Sequence, residues 1–451
     1  MTTNENKMGV MPINKLLLSM SLPMMISMLV QALYNIVDSI FVAQLSENAL
    51  TAVSLAFPLQ QLMISVGTGT GVGINALLSR YLGAKNFEKA NKVANCGVFL
   101  SFLSFIVFLI LGLTITKPYF AFQTDNLEIL SGGISYLTLC TVASVGLFGQ
   151  ITTERLLSST GKTHLSMITQ LVGAFTNIIL DPIMIFGYFG CPKLGVTGAA
   201  LATVCGQWLA CIFGFILNIK FNPEIKITKD CLKPDWNIVG KIYAIGVPSI
   251  IMTSISSVLT FLLNKILIAF TTTATAVFGA YFKLQSFVFM PIFGLNNGMV
   301  PIIAYNFGAK KPERIRKTIK LSITYAVSIM LLGLFVMQVF PKTMLSFFNP
   351  SENMIAIGIP ALRTISLCFV FAGISVISCS VFQALGKSIS SMLVSIIRQI
   401  VVLLPVAYLL SLTGNLNLVW WSYPIAEVVA LIICMFMMIR INKNIISKLG
   451  E

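Results

Sequence analysis

Apolar runs of roughly 20 residues follow one another along almost the whole chain, parted by short polar or Gly/Pro breaks. Each is long enough to cross the ~30 Å hydrocarbon layer as a helix. The pattern predicts spans near 15–40, 52–81, 94–116, 127–153, 165–187 and 197–219. A second set follows near 241–268, 276–305, 318–340, 354–382, 389–411 and 417–440. With twelve spans and no alternating stretch that reads as a strand, the expected fold class is an all-α polytopic membrane protein. The first run follows Lys7 and Lys15 without a small-residue cleavage site, so it reads as a spanning helix and not a removable signal peptide.

The breaks carry the charge. Loops after even-numbered spans hold sixteen lysines and arginines, among them Lys85, Lys89, Lys92, Lys162, Lys220, Lys226, Lys229, Lys233, Lys310, Lys311, Arg314 and Lys387. Loops after odd-numbered spans hold three: Lys117, Lys193 and Lys342. Basic loops stay on the cytoplasmic side, which puts both termini inside.

The two sets of spans are copies. An offset of 225 residues pairs Pro23 with Pro248, Gln60 with Gln285, Gly69 with Gly294 and Gly73 with Gly298. It also pairs Gly83-Ala84-Lys85 with Gly308-Ala309-Lys310, Glu88 with Glu313, and Gly161-Lys162 with Gly386-Lys387. Six spans per copy is an even number, so both enter the membrane the same way up. The expectation is two six-helix parallel repeats with a pseudo-two-fold axis along the membrane normal, and transport between them. The domain reading is 1–220 as the first lobe, 221–240 as a cytoplasmic linker and 241–451 as the second lobe.

Composition agrees: 56% of the 451 residues are hydrophobic and 10% charged, against roughly 25% charged in soluble domains. The net charge of +15 is spent on loop placement, so no nucleic-acid partner is expected. The nine cysteines, Cys231 among them, form no CxxC pair and read as buried and reduced. There is no Walker motif, no nucleophile–base constellation and no extramembrane domain to hold either. An enzyme is not expected, and no cofactor.

Four acids remain inside spans: Asp38, Glu154, Asp181 and Glu427. A charge in hydrocarbon is expensive, so such residues normally face an interior path or relay. Tyr34 and Asp38 are four apart and Gln31 is seven from Asp38, which puts all three on one helix face. Asn177 and Asp181 are likewise four apart, with Pro182 next, which cannot donate to the carbonyl of Ile178 and lets the helix bend. Burial and a second carboxyl nearby both disfavour ionisation, so such acids can load and release a proton as a pair. At the 225 offset Asp38 meets Leu263 and Asp181 meets Val406, so only the first repeat carries these acids. Glu154, beside Arg155, fits either a local ion pair or a cavity role. Glu427 fits a structural pair with Arg398 or Lys265. The run GTGTGVG at 67–73 lacks the Lys-Ser/Thr of a phosphate loop and lies inside a span, where glycines four apart serve close helix packing.

The order and spacing of several motifs resemble the multidrug and toxic compound extrusion (MATE) family. They are SLP at 21–23, Q-x-x-Y-x-x-x-D at 31–38 and N-x-x-x-D-P at 177–182, then G-x-x-G-A-A-x-A-T at 195–203, F-Q-A-L-G-K at 382–387 and the repeated GAK-x2-E. Within it the chain is similar to the branch of DNA-damage-inducible protein F and Gram-positive multidrug exporters. The resemblance implies a first-lobe cation or proton site at Asp38, Asp181, Asn177 and Tyr34. It adds Thr203 from span six and Glu154 from span four, which with Gln31 and Asn35 beside the site are the substrate-cavity candidates. Sodium at Asp38, Asn177 and Asp181 is the weaker alternative, because Lys265 and Arg363 stand in the spans where another branch carries acids. The resulting expectation is a monomeric secondary antiporter in the inner (plasma) membrane of a bacterium, surrounded by lipid. It would expel amphipathic organic cations in exchange for protons. A lipid or lipid-linked saccharide flippase is the competing reading, kept open by Lys265, Lys283, Arg363 and Arg398 in the second half.

Overall fold

The computed structural model describes residues 6–228, 233–348 and 350–449, and among these residues there is no strand. Lys229 and Cys231 of the linker lie outside the described residues. The spanning helices are α1 (Ile13–Ala43), α2 (Glu47–Gly83), α3 (Phe87–Gln123), α4 (Leu127–Val142 and Val145–Ser159), α5 (Thr163–Phe186) and α6 (Val196–Phe221). The second set is α7 (Trp236–Ile268), α8 (Thr272–Gly308), α9 (Pro312–Val339), α10 (Glu352–Ser366 and Phe369–Ala384), α11 (Ser388–Ser411) and α12 (Ser422–Ile441). This is the twelve-span, all-helical architecture expected from the apolar pattern.

Two spans expected to be continuous are broken. α4 bends by 46° and α10 by 48°, at Ala143–Ser144 and Leu367–Cys368, nearly one repeat apart. At the α4 break the Trp208 indole of α6 donates to the Ala143 carbonyl over 3.1 Å, and the same carbonyl accepts from the Gly146 N–H at 3.4 Å. α11 holds a π-helical stretch, Ile397–Leu403, just before Pro405.

The repeat offset extends to the turns. After α2 the Asn86 N–H reaches the Tyr81 carbonyl at 2.9 Å, and after α8 the Lys311 N–H reaches Asn306 at 2.9 Å. The Gly-Lys turns do the same, Lys162 to Leu157 at 2.8 Å and Lys387 to Phe382 at 2.7 Å. These are Schellman closures, which need one residue with positive φ. Gly161 (φ 88°) and Gly386 (φ 76°) supply it without strain, whereas Lys85 (φ 56°) and Lys310 (φ 54°) adopt it despite a Cβ.

The chain divides into two compact units: 1–6 with Ile26–Ile250, and Lys7–Met25 with 251–451. The borders are not those of the 221–240 linker, because α1 and α7 each change unit part-way. Both changes come three residues after a proline inside the helix, Pro23 and Pro248. Within the first unit, a Cβ on Gly69 or Gly73 of α2 would meet Gly246, Ile250 or the Ile242 carbonyl of α7. Within the second unit, Gly294 and Gly298 of α8 press equally on the backbone of Met25 and Ser21 in α1. The glycine run is therefore a packing seam in each unit.

Of the eight described cysteines all are free. Five are buried, but Cys191 is exposed in the loop after α5, contrary to the expectation of general burial.

Candidate functional site

In the first unit α1 and α5 bring their acids together. The Asp38 and Asp181 carboxyls lie within hydrogen-bond reach of each other. Asp181 is fully buried. Asp38 Oδ1 is also buried and receives no hydrogen bond from any donor among the described residues. Two carboxyl groups in that relation are satisfied by a proton held between them or by a cation.

Asn177 orients Asp181. With its amide nitrogen toward the carboxyl it donates to Asp181 Oδ2 over 3.2 Å, and its oxygen accepts from the Thr203 N–H at 3.2 Å and hydroxyl at 3.3 Å. α6 can bring Thr203 this close because Gly206, one turn on, sits against the Gly173 carbonyl of α5. Tyr34 lies within electrostatic range of Asp38, Asp181, Cys140 and Glu154. Glu154 Oε1 accepts from Gln150 over 2.9 Å. One turn beyond each acid stand Val42 and Ile185, both fully buried in an apolar cluster with Phe120, Tyr136 and Cys140. The acid pair is thus capped by hydrocarbon at that end.

Sequence spacing finds Asp38, Asp181, Asn177 and Tyr34, the resemblance adds Thr203, and these side chains stand together in the structure. Asn35 stands exposed on α1, outside the cluster. Gln31 Oε1 is occupied by Gln170 of α5, whose Nε2 donates to it over 2.8 Å, and the Gln170 oxygen accepts from Ser27. Sequence reasoning misses Gln170, although it lies seven residues before Asn177 and eleven before Asp181, on their face. Gln60, in the sequence only a marker of the repeat, donates to the Tyr136 hydroxyl at 3.3 Å and the Cys140 sulfur at 3.5 Å, beside the acids.

The second unit's charges have other engagements. Arg398 Nη1 and Glu427 Oε1 form an ion pair at 3.1 Å. Lys265 lies over the Phe261 ring at 5.0 Å, and Arg363 Nε donates to the Gln338 carbonyl at 3.2 Å. Lys283 is exposed. Because Glu427 is buried, removing its partner leaves an uncompensated charge: Arg398→Ala should cost about 3–5 kcal/mol. Replacing both by apolar residues should be nearly neutral. Melting temperatures in detergent for the single and double variants check this, and a single variant as stable as wild type would contradict it.

The MatE family model matches the chain twice, over residues 23–183 and 248–409, with starts one repeat offset apart. Among curated proteins, the Multidrug export protein MepA of Staphylococcus haemolyticus (strain JCSC1435) is 28% identical over 432 residues, covering 96% of this chain and 94% of that protein. A crystal structure of MATE in complex with MaL6 superposes with a TM-score of 0.92 at 27% identity, covering 99% of each chain. The outward-facing conformation of a multidrug resistance MATE family transporter of the MOP superfamily does so at 0.92 and 26%, covering 100% of this chain and 99% of that one. With both halves matched by the family model and the helical architecture shared end to end, this chain belongs to the MatE family of membrane transporters.

Proposed function

We propose that the chain is a multidrug exporter that expels amphipathic organic cations in exchange for protons, alternating access between its two lobes. The lobes are those read as 1–220 and 241–451, joined by the cytoplasmic linker 221–240, with both termini inside a bacterial plasma membrane. The observation that carries the reading is the pairing of Asp38 with Asp181 in apolar surroundings. Such a pair cannot stay fully ionised without a counter-charge, so it holds either a proton or a cation, and mutually exclusive occupancy is sufficient for exchange. Thr203 adds a neutral hydroxyl oxygen that suits a small hard cation, which keeps sodium as the weaker alternative to the proton. The multidrug names of the relatives support the substrate class. Of the four cations that kept the flippase reading open, Arg398 is neutralised by Glu427 and would bring no free positive charge to a phosphate, so that reading rests on Lys265, Lys283 and Arg363 alone.

Proton competition sets the sign of the pH dependence. Raising the pH removes the shared proton, makes the site more negative and tightens cation binding. If one proton leaves per cation bound, the apparent Kd for ethidium should fall about tenfold per pH unit over the range where the pair is protonated. In the Asp38→Asn, Asp181→Asn double variant, which has no carboxyl left in the pair, the slope should vanish. The functional test is internal pH in proteoliposomes under an imposed pH gradient, with ethidium added. Ethidium-driven proton movement in wild type and none in Asp38→Asn is expected. No proton movement in wild type would overturn proton coupling, and sodium-dependent movement would favour the alternative ion.

A further inference from the structure

We propose that Gln170 is a positioning residue, the fixed pivot against which α1 responds to the acid pair. The inference rests on the reading of Asp38 and Asp181 as the exchange site. Ser27 and Asp38 are eleven residues apart on α1, and Gln170 and Asp181 are eleven apart on α5. Eleven residues is three helical turns, about 16 Å, so each helix presents its two partners on one face. The helices therefore run side by side, in the same direction, joined at two points. At one point the acids meet. At the other, both ends of one amide are used: Gln170 Nε2 donates to Gln31 Oε1 over 2.8 Å and its oxygen accepts from the Ser27 hydroxyl.

The two points differ in kind. Ser27, Gln31 and Gln170 carry no titratable group, so that contact has the same strength at every pH. Its Ser27–Gln170 half is deeply placed, with Ser27 fully buried and Gln170 8% exposed, so a bond broken there is costly, while Gln31 is part-buried. The contact between Asp38 and Asp181, faced by Tyr34, Tyr136 and Cys140, with Glu154 in range of Tyr34, changes whenever a proton or cation comes or goes. A change at the acids can therefore release α1 only at their end, while Gln170 holds the segment that begins where α1 enters the first unit, at Ile26. Without Gln170 the same chemical event would be spread along the helix instead of being delivered at the site.

The test uses two spin-label pairs at exposed positions, in a background with Cys191 and Cys231 changed to serine. One pair, Ile40 and Ile179, reports beside the acids, and the other, Ile26 and Ile168, reports beside Gln170. In the parent the first distance should shift between pH 8 and pH 5 and the second should not. In Gln170→Leu the pH shift should appear at the second pair, and proton–ethidium exchange should slow about tenfold, as expected for lost buried hydrogen bonds, with ethidium Kd changed less than about twofold. Ser27→Ala, a milder change, should move both readouts in the same direction. If both variants leave the second distance insensitive to pH and the exchange rate intact, the pivot is wrong. Asp38→Asn separates the two readings. If it abolishes the shift at the first pair while Gln170→Leu changes nothing, only the pivot falls. If it leaves both shift and exchange intact, the exchange site falls and the pivot with it.

Discussion

Asp181→Asn is expected to abolish active export while leaving the protein folded. Asparagine has the size of the aspartate and keeps an oxygen that can accept from Asn177, so the contact with α6 through Thr203 survives. What it removes is the charge. At an effective dielectric constant near 20, one unit charge about 4 Å from a cation is worth about 4 kcal/mol, close to three powers of ten in affinity. A fall in ethidium efflux of at least about a hundredfold is therefore expected in cells and in proteoliposomes. Stability should be unchanged or higher, since a carboxyl that must find a proton or cation has been replaced by a neutral amide. Efflux and detergent melting temperature, measured on the same preparations, check both halves. Asp181→Asn with wild-type efflux would remove Asp181 from the exchange site. Lost efflux with a collapsed melting temperature would show a structural residue instead.

The spans and the acids were legible in the sequence for the same physical reason. In hydrocarbon every backbone group must be bonded within its own segment, so a spanning element is a helix and shows as one long apolar run. Against that background Asp38 and Asp181 stand out, and the four-residue spacing of Tyr34 to Asp38 and of Asn177 to Asp181 assigns them faces. Gln170 obeys the same spacing and could have been found by extending the face of Asp181 back three turns. What decides the remaining features lies on other elements. At the break in α4 the Trp208 indole of α6 reaches the Ala143 carbonyl, and no local signal in the Ala143 region announces it. Glu154 had Arg155 as its visible neighbour, yet it accepts from Gln150 one turn before, a spacing equally present in the sequence. The exchange of helix halves between the two units was not legible from apolar runs. Its sequence trace is the pair of prolines at 23 and 248, whose partners in packing are set only in three dimensions.

The glycines that receive those helix halves should be the least tolerant positions in the chain. A Cβ on Gly73 would overlap the Ile242 carbonyl of α7, and one on Gly298 would overlap the Ser21 backbone of α1. Backbone, unlike the tip of a side chain, cannot swing aside, so α2 would have to move away from α7, and α8 from α1, along several turns of contact. Gly73→Val and Gly298→Val should each cost at or above the roughly 3 kcal/mol upper end of ordinary overpacking. A marginally stable protein has only about 5–15 kcal/mol to lose, so little monodisperse protein should be recovered from detergent extracts. Gly279 lies on the same helix as Gly298, and a Cβ there would meet nothing within 4 Å. At that position alanine relieves the helix of glycine's conformational freedom, and Gly279→Ala should be neutral or stabilising by up to about 1 kcal/mol. Recovery and melting temperature of the three variants, prepared in parallel, decide the matter. If Gly73→Val and Gly298→Val melt like Gly279→Ala, the seam is not close-packed in the membrane. If only the two seam variants fail, the repeated glycines hold each unit together by letting one helix backbone rest on another.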